Sequence, residues 1–327
     1  LLTDVLSAET SEFQGDSGIP SRIIIIEPGN YVVNCDNLAR PMFSPRGLGF
    51  GLLIENCILL GLNNRKLGVV TLKNTDSGSS VNTGKKVEVE RVFWRNVMVS
   101  NISFVLSGGN FVSQRDSTAT WTNCSFSITL EEDKPNFFRC WGTDTFRRCN
   151  FENCAGLFTM GRTVLEKCIF FGSQDSGVQV SYGARFEMKD CKVHGSKTTG
   201  VYIANAPETC SITNCEIFDN IWDGISIKQK TTDVKVQNCR IYQNNRDGIS
   251  VVESSSAVVC NNEIFENGWN GISTISNGRC TVSHNKIYGN KSTGVQVPMV
   301  EKPFQPSIVQ FNEIFENRGK GIHCEMM

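Results

Sequence analysis

Cys215-Glu216-Ile217-Phe218-Asp219-Asn220 leads, three residues later, to Gly224-Ile225-Ser226-Ile227; the next copy, Cys239-Arg240-Ile241-Tyr242, leads to Gly248-Ile249-Ser250-Val251. The same unit recurs at 262–275, 285–297 and 312–324. Its anchors fall at Cys168, Cys191, Cys215, Cys239, Asn262, Asn285 and Asn312, at intervals of 23, 24, 24, 23, 23 and 27 residues. A sustained period of this length marks a solenoid, in which each unit stacks on its neighbours. Within a unit, apolar residues alternate over three or four positions before Gly or Asn interrupts, which is a strand pattern without room for a ten-residue helix.

Three short strands per unit cannot bury an inward face alone, but stacked copies pair in parallel and share one core. The expectation is an all-β, right-handed parallel β-helix of about twelve coils, at a strand spacing of about 4.8 Å. Stacking turns each repeat position into a row. Asn220, Asn244, Asn267, Asn290 and Asn317 form one, suited to amide hydrogen bonds from coil to coil. Lys192, Glu216, Arg240, Glu263, Lys286 and Glu313 form another, whose signs alternate throughout and so help to fix the register.

Around this repeat the first half is looser. Asn56-Cys57, Asn101-Ile102, Asn123-Cys124 and Cys149-Asn150 are the degenerate anchors there. Residues 1–20 are read as a lead-in or cap and 21–327 as the β-helix, with projecting loops near 40–51, 73–86 and 298–306, where Gly, Pro, Ser and Asn cluster. The chain reads as part of a longer protein, with further domains or an oligomer partner expected beyond residue 327.

Composition narrows the function. The chain carries 32 Lys+Arg against 33 Asp+Glu, a net charge of -1, with no basic run to hold nucleic acid or an anionic membrane. No apolar stretch approaches the 18 residues of a membrane-spanning helix. The 14 cysteines include a stacked row, Cys168, Cys191, Cys215 and Cys239, read as free thiols behaving as small hydrophobes. That favours a reducing, intracellular compartment, while the start at Leu1 leaves secretion open. His194, His284 and His323 show no metal-ligand spacing with the cysteines, so neither a zinc site nor another cofactor is expected.

The units resemble the parallel β-helix repeat of the pectate-lyase-like superfamily, and Glu27-Pro28-Gly29-Asn30-Tyr31 is similar to the opening turn of many members. The regular Asn-x-Ile-Phe-x-Asn style looks closest to repeats of non-enzymatic eukaryotic proteins, such as certain F-box proteins and the Shc-SH2-binding-protein type. The signatures that the superfamily's hydrolases, lyases and epimerases imply are not matched. Asn74-Thr75-Asp76 and His194-Gly195 lack the partner elements that would make them a hydrolase site. Fold alone does not carry function.

A site is therefore sought on the strand after the repeated Gly, whose outward row is expected to be Gln179, Tyr202, Ser226, Ser250, Ser273, Gln296 and His323. Before the Gly stand Asp223, Asp247 and Asn270, and one residue earlier Trp222, Arg246 and Trp269 on three successive coils. Two indoles about 10 Å apart suit stacking on a linear glycan or anchoring of a polypeptide. The candidate ligand-binding residues are Trp222, Arg246, Trp269 and Tyr202. The leading reading is a recognition module for an extended glycan or protein partner, leaning away from an enzyme. The alternative is a polysaccharide lyase or epimerase, with Tyr202 or Lys228 as base, Arg246 offsetting a uronate carboxylate, and Asp223 or Asp247 assisting. A structural rod or viral fibre segment is the third.

Overall fold

The computed structural model describes residues 22–26, 30–32, 39–44, 47–61, 68–72, 89–106, 110–113, 115–128, 138–206, 209–299 and 306–326. One coil runs through Val234–Gln237, Arg240–Tyr242 and Ile249–Val251, then returns to Ser256–Cys260 above its start. Each strand pairs in parallel with its copy one coil on, as in Arg240↔Glu263 and Ile249↔Ile272. The result is the expected right-handed parallel β-solenoid. The middle strands of the coils form a sheet of twelve, and the other two columns merge into a sheet of 23.

Nine regular turns run from Ser125–Ile128 to Glu313–Phe315, fewer than the twelve or so expected. The three earlier strands of the middle sheet, Asn30–Val32, Gly68–Leu72 and Ile102–Leu106, stay in register across longer, uneven connections. Residues 40–51, read as a loop, belong instead to an antiparallel pair, Ala39–Ser44 with Gly47–Gly61. Gly, Phe and Leu in alternation satisfy a strand there, and the Gly-Pro content misled. The lead-in at 1–20, the loop at 73–86 and, within 298–306, residues 300–305 lie outside the described residues.

The inward row of the middle sheet explains why the repeat fades toward the N-terminus. It reads Phe104, Phe126, Phe151 and Phe170 before it becomes Val193, Ile217, Ile241, Ile264 and Ile287, all buried. Phe126, Phe151 and Phe170 stack at 4.9 and 4.5 Å, with Trp121 and Phe146 packed beside them. The core is thus built of rings in one half and branched aliphatics in the other, so one pattern cannot describe both. Coil-to-coil contact is close at the repeated Gly: a Cβ on Gly248 would come within 2.6 Å of the Gly271 carbonyl oxygen, which excludes any side chain.

The polar rows close as donor-acceptor chains. Asn220 Nδ2 donates to Asn244 Oδ1 at 2.8 Å, Asn244 to Asn267 at 3.0 Å and Asn267 to Asn290 at 2.9 Å, while each oxygen also accepts the preceding coil's backbone N–H. The anchor row does the same with a change of element: the Cys168 N–H donates to Cys191 Sγ at 3.3 Å, and the Cys239 N–H to Asn262 Oδ1 at 2.8 Å. On the outside, Glu216 pairs with Lys192 at 2.6 Å and Arg240 at 3.3 Å, and Arg240 with Glu263 at 3.0 Å. Beside that row runs an aromatic column the repeat had only hinted at. Phe171, His194, Phe218, Tyr242, Phe265, Tyr288 and Phe315 follow one another with ring centroids 4.6 to 5.1 Å apart.

Asn244→Ala removes the acceptor used by Asn220 and the donor to the Ile217 carbonyl. Leaving those buried groups unpaired costs on the order of 1–3 kcal/mol. The urea midpoint of the variant should fall accordingly, and an unchanged midpoint would show that the amide row contributes nothing to stability.

Candidate functional site

The strand column after the Gly includes Leu157–Thr159, Val178–Ser181, Val201–Ala204, Ile225–Lys228, Ile249–Val251 and Ile272–Thr274. The residue before each Gly is a structural peg whose side-chain oxygen accepts the backbone N–H one coil on. The Asp247 N–H donates to Asp223 Oδ1 at 3.2 Å, Asn270 to Asp247 Oδ1 at 2.9 Å, and Thr293 to Asn270 Oδ1 at 3.0 Å. This peg row draws side chains inward over the strands. The row expected to face solvent is consequently covered in its middle: Ser226, Ser250 and Ser273 are buried. Its bulky members Gln179, Tyr202 and Gln296 still reach the surface in part.

Asp223 and Asp247 therefore stack in a nearly enclosed position. Burial raises the Asp223 carboxyl above the usual range, against the opposing pull of the Asp247 N–H, Lys228 and Arg246. Asp247 is pushed up to about 7, by burial first and by the Asp223 charge as well, with the Asn270 N–H and Arg246 opposing. A carboxyl with a pKa near neutrality can both accept and release a proton at physiological pH.

Directly outside this pair stand the three residues singled out from the sequence. Trp222 and Trp269 are 44% and 53% exposed, and the Arg246 guanidinium lies between them, 5.0 Å from one ring centroid and 5.3 Å from the other. The sequence places the three together correctly but misjudges what is free. The guanidinium occupies the space between the indoles, so their facing surfaces are closed to a sugar ring. What the cluster offers is the N–H edge of a guanidinium held rigid by its neighbours, the geometry that recognises a carboxylate.

Tyr202 and Lys228 sit on the same column, with the Lys228 ammonium 6.0 Å from the Tyr202 ring centroid. Burial and, secondarily, Glu253 raise the Tyr202 phenol above its ordinary value. A phenol shifted upward stays protonated near neutrality, so Tyr202 is suited to donating a hydrogen bond and unsuited to the base role considered for it. Of the five catalytic candidates, Asp247 is the one pushed up to about 7, where proton transfer at neutral pH is possible.

Sequence reasoning missed a second cluster, at the opposite edge of the same column. Arg115, Asp116, Trp141, Met160 and Tyr182 line an open cleft of about 480 Å³. The available signal was a bulky residue before Gly at each closing turn: Trp141-Gly142, Met160-Gly161 and Tyr182-Gly183. Asp144, buried beneath the neighbouring strand, was missed as well; burial pushes its carboxyl up to about 7 while the Ser113 hydroxyl donates to it at 2.6 Å. Among the described residues no group of three or more His, Cys, Asp and Glu could hold a metal ion, and no helix is long and apolar enough to cross a membrane.

The sequence matches the family described as right handed beta helix region over residues 89–231 and 139–299, together more than half of the chain. No curated protein matches it. Among solved structures, it is similar to the A-module of the Azotobacter vinelandii mannuronan C-5 epimerase AlgE4. The identity is 13%, the likeness covers 93% of this chain and 88% of that one, and the TM-score is 0.61. The periplasmic alginate epimerase AlgG is similar at 11% identity, 93% and 85% coverage and a TM-score of 0.51. At these identities the likeness is one of fold.

A carboxyl whose pKa is raised on folding holds its proton more tightly in the folded state, so stability falls as pH rises from the unfolded value near 4 through the folded value. For Asp247 that window is about pH 4 to 7. Asp247→Asn should raise stability at pH 8 by up to about 4 kcal/mol, and the advantage should vanish near pH 4. Urea unfolding of both proteins across that range measures the difference; a pH-independent gap would contradict the assignment.

Proposed function

This chain belongs to the right-handed β-helix family, and from that premise we propose that its Gly-proximal strand column is a recognition surface for a linear glycan carrying carboxylates. The observation that supports this most directly is the clamped guanidinium of Arg246, with both faces covered by exposed indoles. Such an edge discriminates by shape and charge: a bidentate carboxylate fits it, whereas a hydroxyl satisfies it only in part. Tyr202 and the outer surfaces of Trp222 and Trp269 supply the remaining contacts. The division into a lead-in (1–20) and one β-helix (21–327) is part of the proposal, and so is the kinship of the repeat style to the F-box and Shc-SH2-binding-protein types. That kinship would favour a polypeptide ligand instead.

A second reading is favoured by one specific observation, the carboxyl of Asp247 held near pH 7 beside Asp223. In a uronate polymer such a base can take the C5 proton while Arg246 offsets the carboxylate whose enolate develops. Return of a proton to the opposite face inverts C5. Expulsion of the C4 oxygen substituent instead leaves a C4–C5 double bond and a cleaved chain. Deuterium incorporation at C5 in heavy water and absorbance of an unsaturated product separate the two outcomes, and neither signal appears for a pure binding module.

Affinity electrophoresis through gels containing acidic or neutral polysaccharides tests the main proposal. Retardation should be confined to acidic gels, lost in Arg246→Ala and not recovered in Arg246→Lys, which lacks the fork. The Trp222→Ala, Trp269→Ala double variant should weaken binding by about tenfold or more, as expected for aromatic anchors. Equal retardation in neutral gels, or retardation indifferent to Arg246, would refute it. Absence of retardation in every gel would move the weight to a polypeptide ligand.

A further inference from the structure

We propose that the cleft between Trp141 and Tyr182 is a second subsite for the same glycan, so that the ligand crosses the strand column diagonally and must be long to bind well. The inference rests on the glycan reading of the Arg246 clamp and adds a place, a ligand path and a length requirement to it.

The two clusters are built alike and filled differently. Each sets two aromatic residues two coils apart, Trp222 and Trp269 at the opening turn, Trp141 and Tyr182 at the closing turn. In the first, Arg246 fills the gap. In the second, the coil between contributes Met160, and a cleft of about 480 Å³ remains open, within the size range of small-ligand sites. Arg115 stands at its rim, with the guanidinium carbon 5.8 Å from the Trp141 ring centroid. The Trp141 indole N–H is buried and has no partner in the protein. Asp116 also lines the cleft, beside Arg115 in sequence, so its carboxylate offers an acceptor for sugar hydroxyls while the ring face, the cation and the unused donor fit the rest of a sugar that carries a carboxylate.

Tyr182 puts an aromatic side chain at a left-handed turn position, as Phe311 does elsewhere in the solenoid. It is 66% exposed and adopts φ of 55°, in the left-handed region, at the first residue after its strand. The next two coils place Asn205 and Gln229 there, with φ of 52° and 56°. Asn accepts that conformation readily, whereas a bulky aromatic is strained in it and gains nothing from exposure.

The coils between the clusters complete a path. From Trp141 the successive coils present Met160, Tyr182, Tyr202, Trp222, Arg246 and Trp269, passing from the closing edge of the column to the opening edge. Six rises of about 4.8 Å give a track about 30 Å long, with Arg115 at one end and Arg246 near the other. A chain that reaches both cations gains the effective-concentration advantage of two linked sites; a shorter one does not.

The test is a length series. Oligomannuronates from two to ten units, with neutral oligosaccharides of equal length as controls, are titrated calorimetrically into the wild-type protein and three variants, Trp141→Ala, Tyr182→Asn and Arg246→Ala. The wild-type affinity should rise by roughly tenfold or more between oligomers that reach one cluster and those that span both. This ratio should collapse to about one in Trp141→Ala and Tyr182→Asn, and Arg246→Ala should weaken every length. Tyr182→Asn carries its own control for folding, because it relieves strain and should melt at or above the wild-type temperature. A ratio unchanged in both cleft variants, or no rise with length, overturns the second subsite while Arg246→Ala still reports on the clamp. No binding of any oligomer to the wild type overturns both.

Discussion

Parallel stacking at about 4.8 Å places every side chain beside its own counterpart, and the rest of the structure follows from that constraint. A row is tolerated only if it complements itself or alternates. Amides complement themselves, since each donates upward and accepts from below, as Asn220 to Asn290 do. Rings and branched aliphatics stack on their own kind, as in Phe126, Phe151 and Phe170. Charges must alternate, as Lys192, Glu216, Arg240 and Glu263 do. The Trp222, Arg246, Trp269 cluster obeys the same rule, with a cation between two π faces.

Legibility followed the rule. Rows defined by identity or sign could be read from the sequence once the period was known, and these fixed the strands, the register and the company that Arg246 keeps. What escaped depended on depth, on which the period is silent. Ser226, Ser250 and Ser273 alternate as outward residues should, yet the pegs before the Gly fold across them. The indoles were placed correctly, but which of their faces stay open depends on the Arg246 side chain that lies between them. The cleft was hidden because its members, Arg115, Trp141, Met160 and Tyr182, share neither one register position nor a chemical type. Where rings replace aliphatics in the core, from Phe170 backward, the same coil ceased to look like itself.

The anchor row shows how far a residue type can mislead about environment. Twelve cysteines of known environment are free, and ten of them are buried, so shelter from solvent rather than residue type decides how they behave. Cys154 and Cys280 are pushed up to about 12 by desolvation, so both remain neutral and poorly reactive. Cys191 and Asn262 perform one task, accepting a backbone N–H from the coil before. Thiols sheltered in this way persist under reducing or oxidising conditions, so the intracellular expectation drawn from them loses its force. The periplasmic setting named for AlgG belongs to a protein that shares the fold alone.

Asp223 and Asp247 depart from the stacking rule, and they lie under the clamp. They put two carboxyls on adjacent coils in a nearly enclosed position; burial displaces both upward, and the Asp223 charge adds to the shift of Asp247. Backbone capping does not demand it, because Asn270 caps the Thr293 N–H through a neutral amide in the same row. A neutral peg at 223 and 247 would keep every backbone hydrogen bond and remove the repulsion. Departures from local consistency concentrate at functional sites, where an unfavourable charge has a use outside the fold. Under the second reading of the function that use would be chemical: a proton on Asp247 beside a guanidinium fitted to a carboxylate. Binding alone accounts for the clamp, whereas the paired acids beneath it are accounted for by the lyase or epimerase reading.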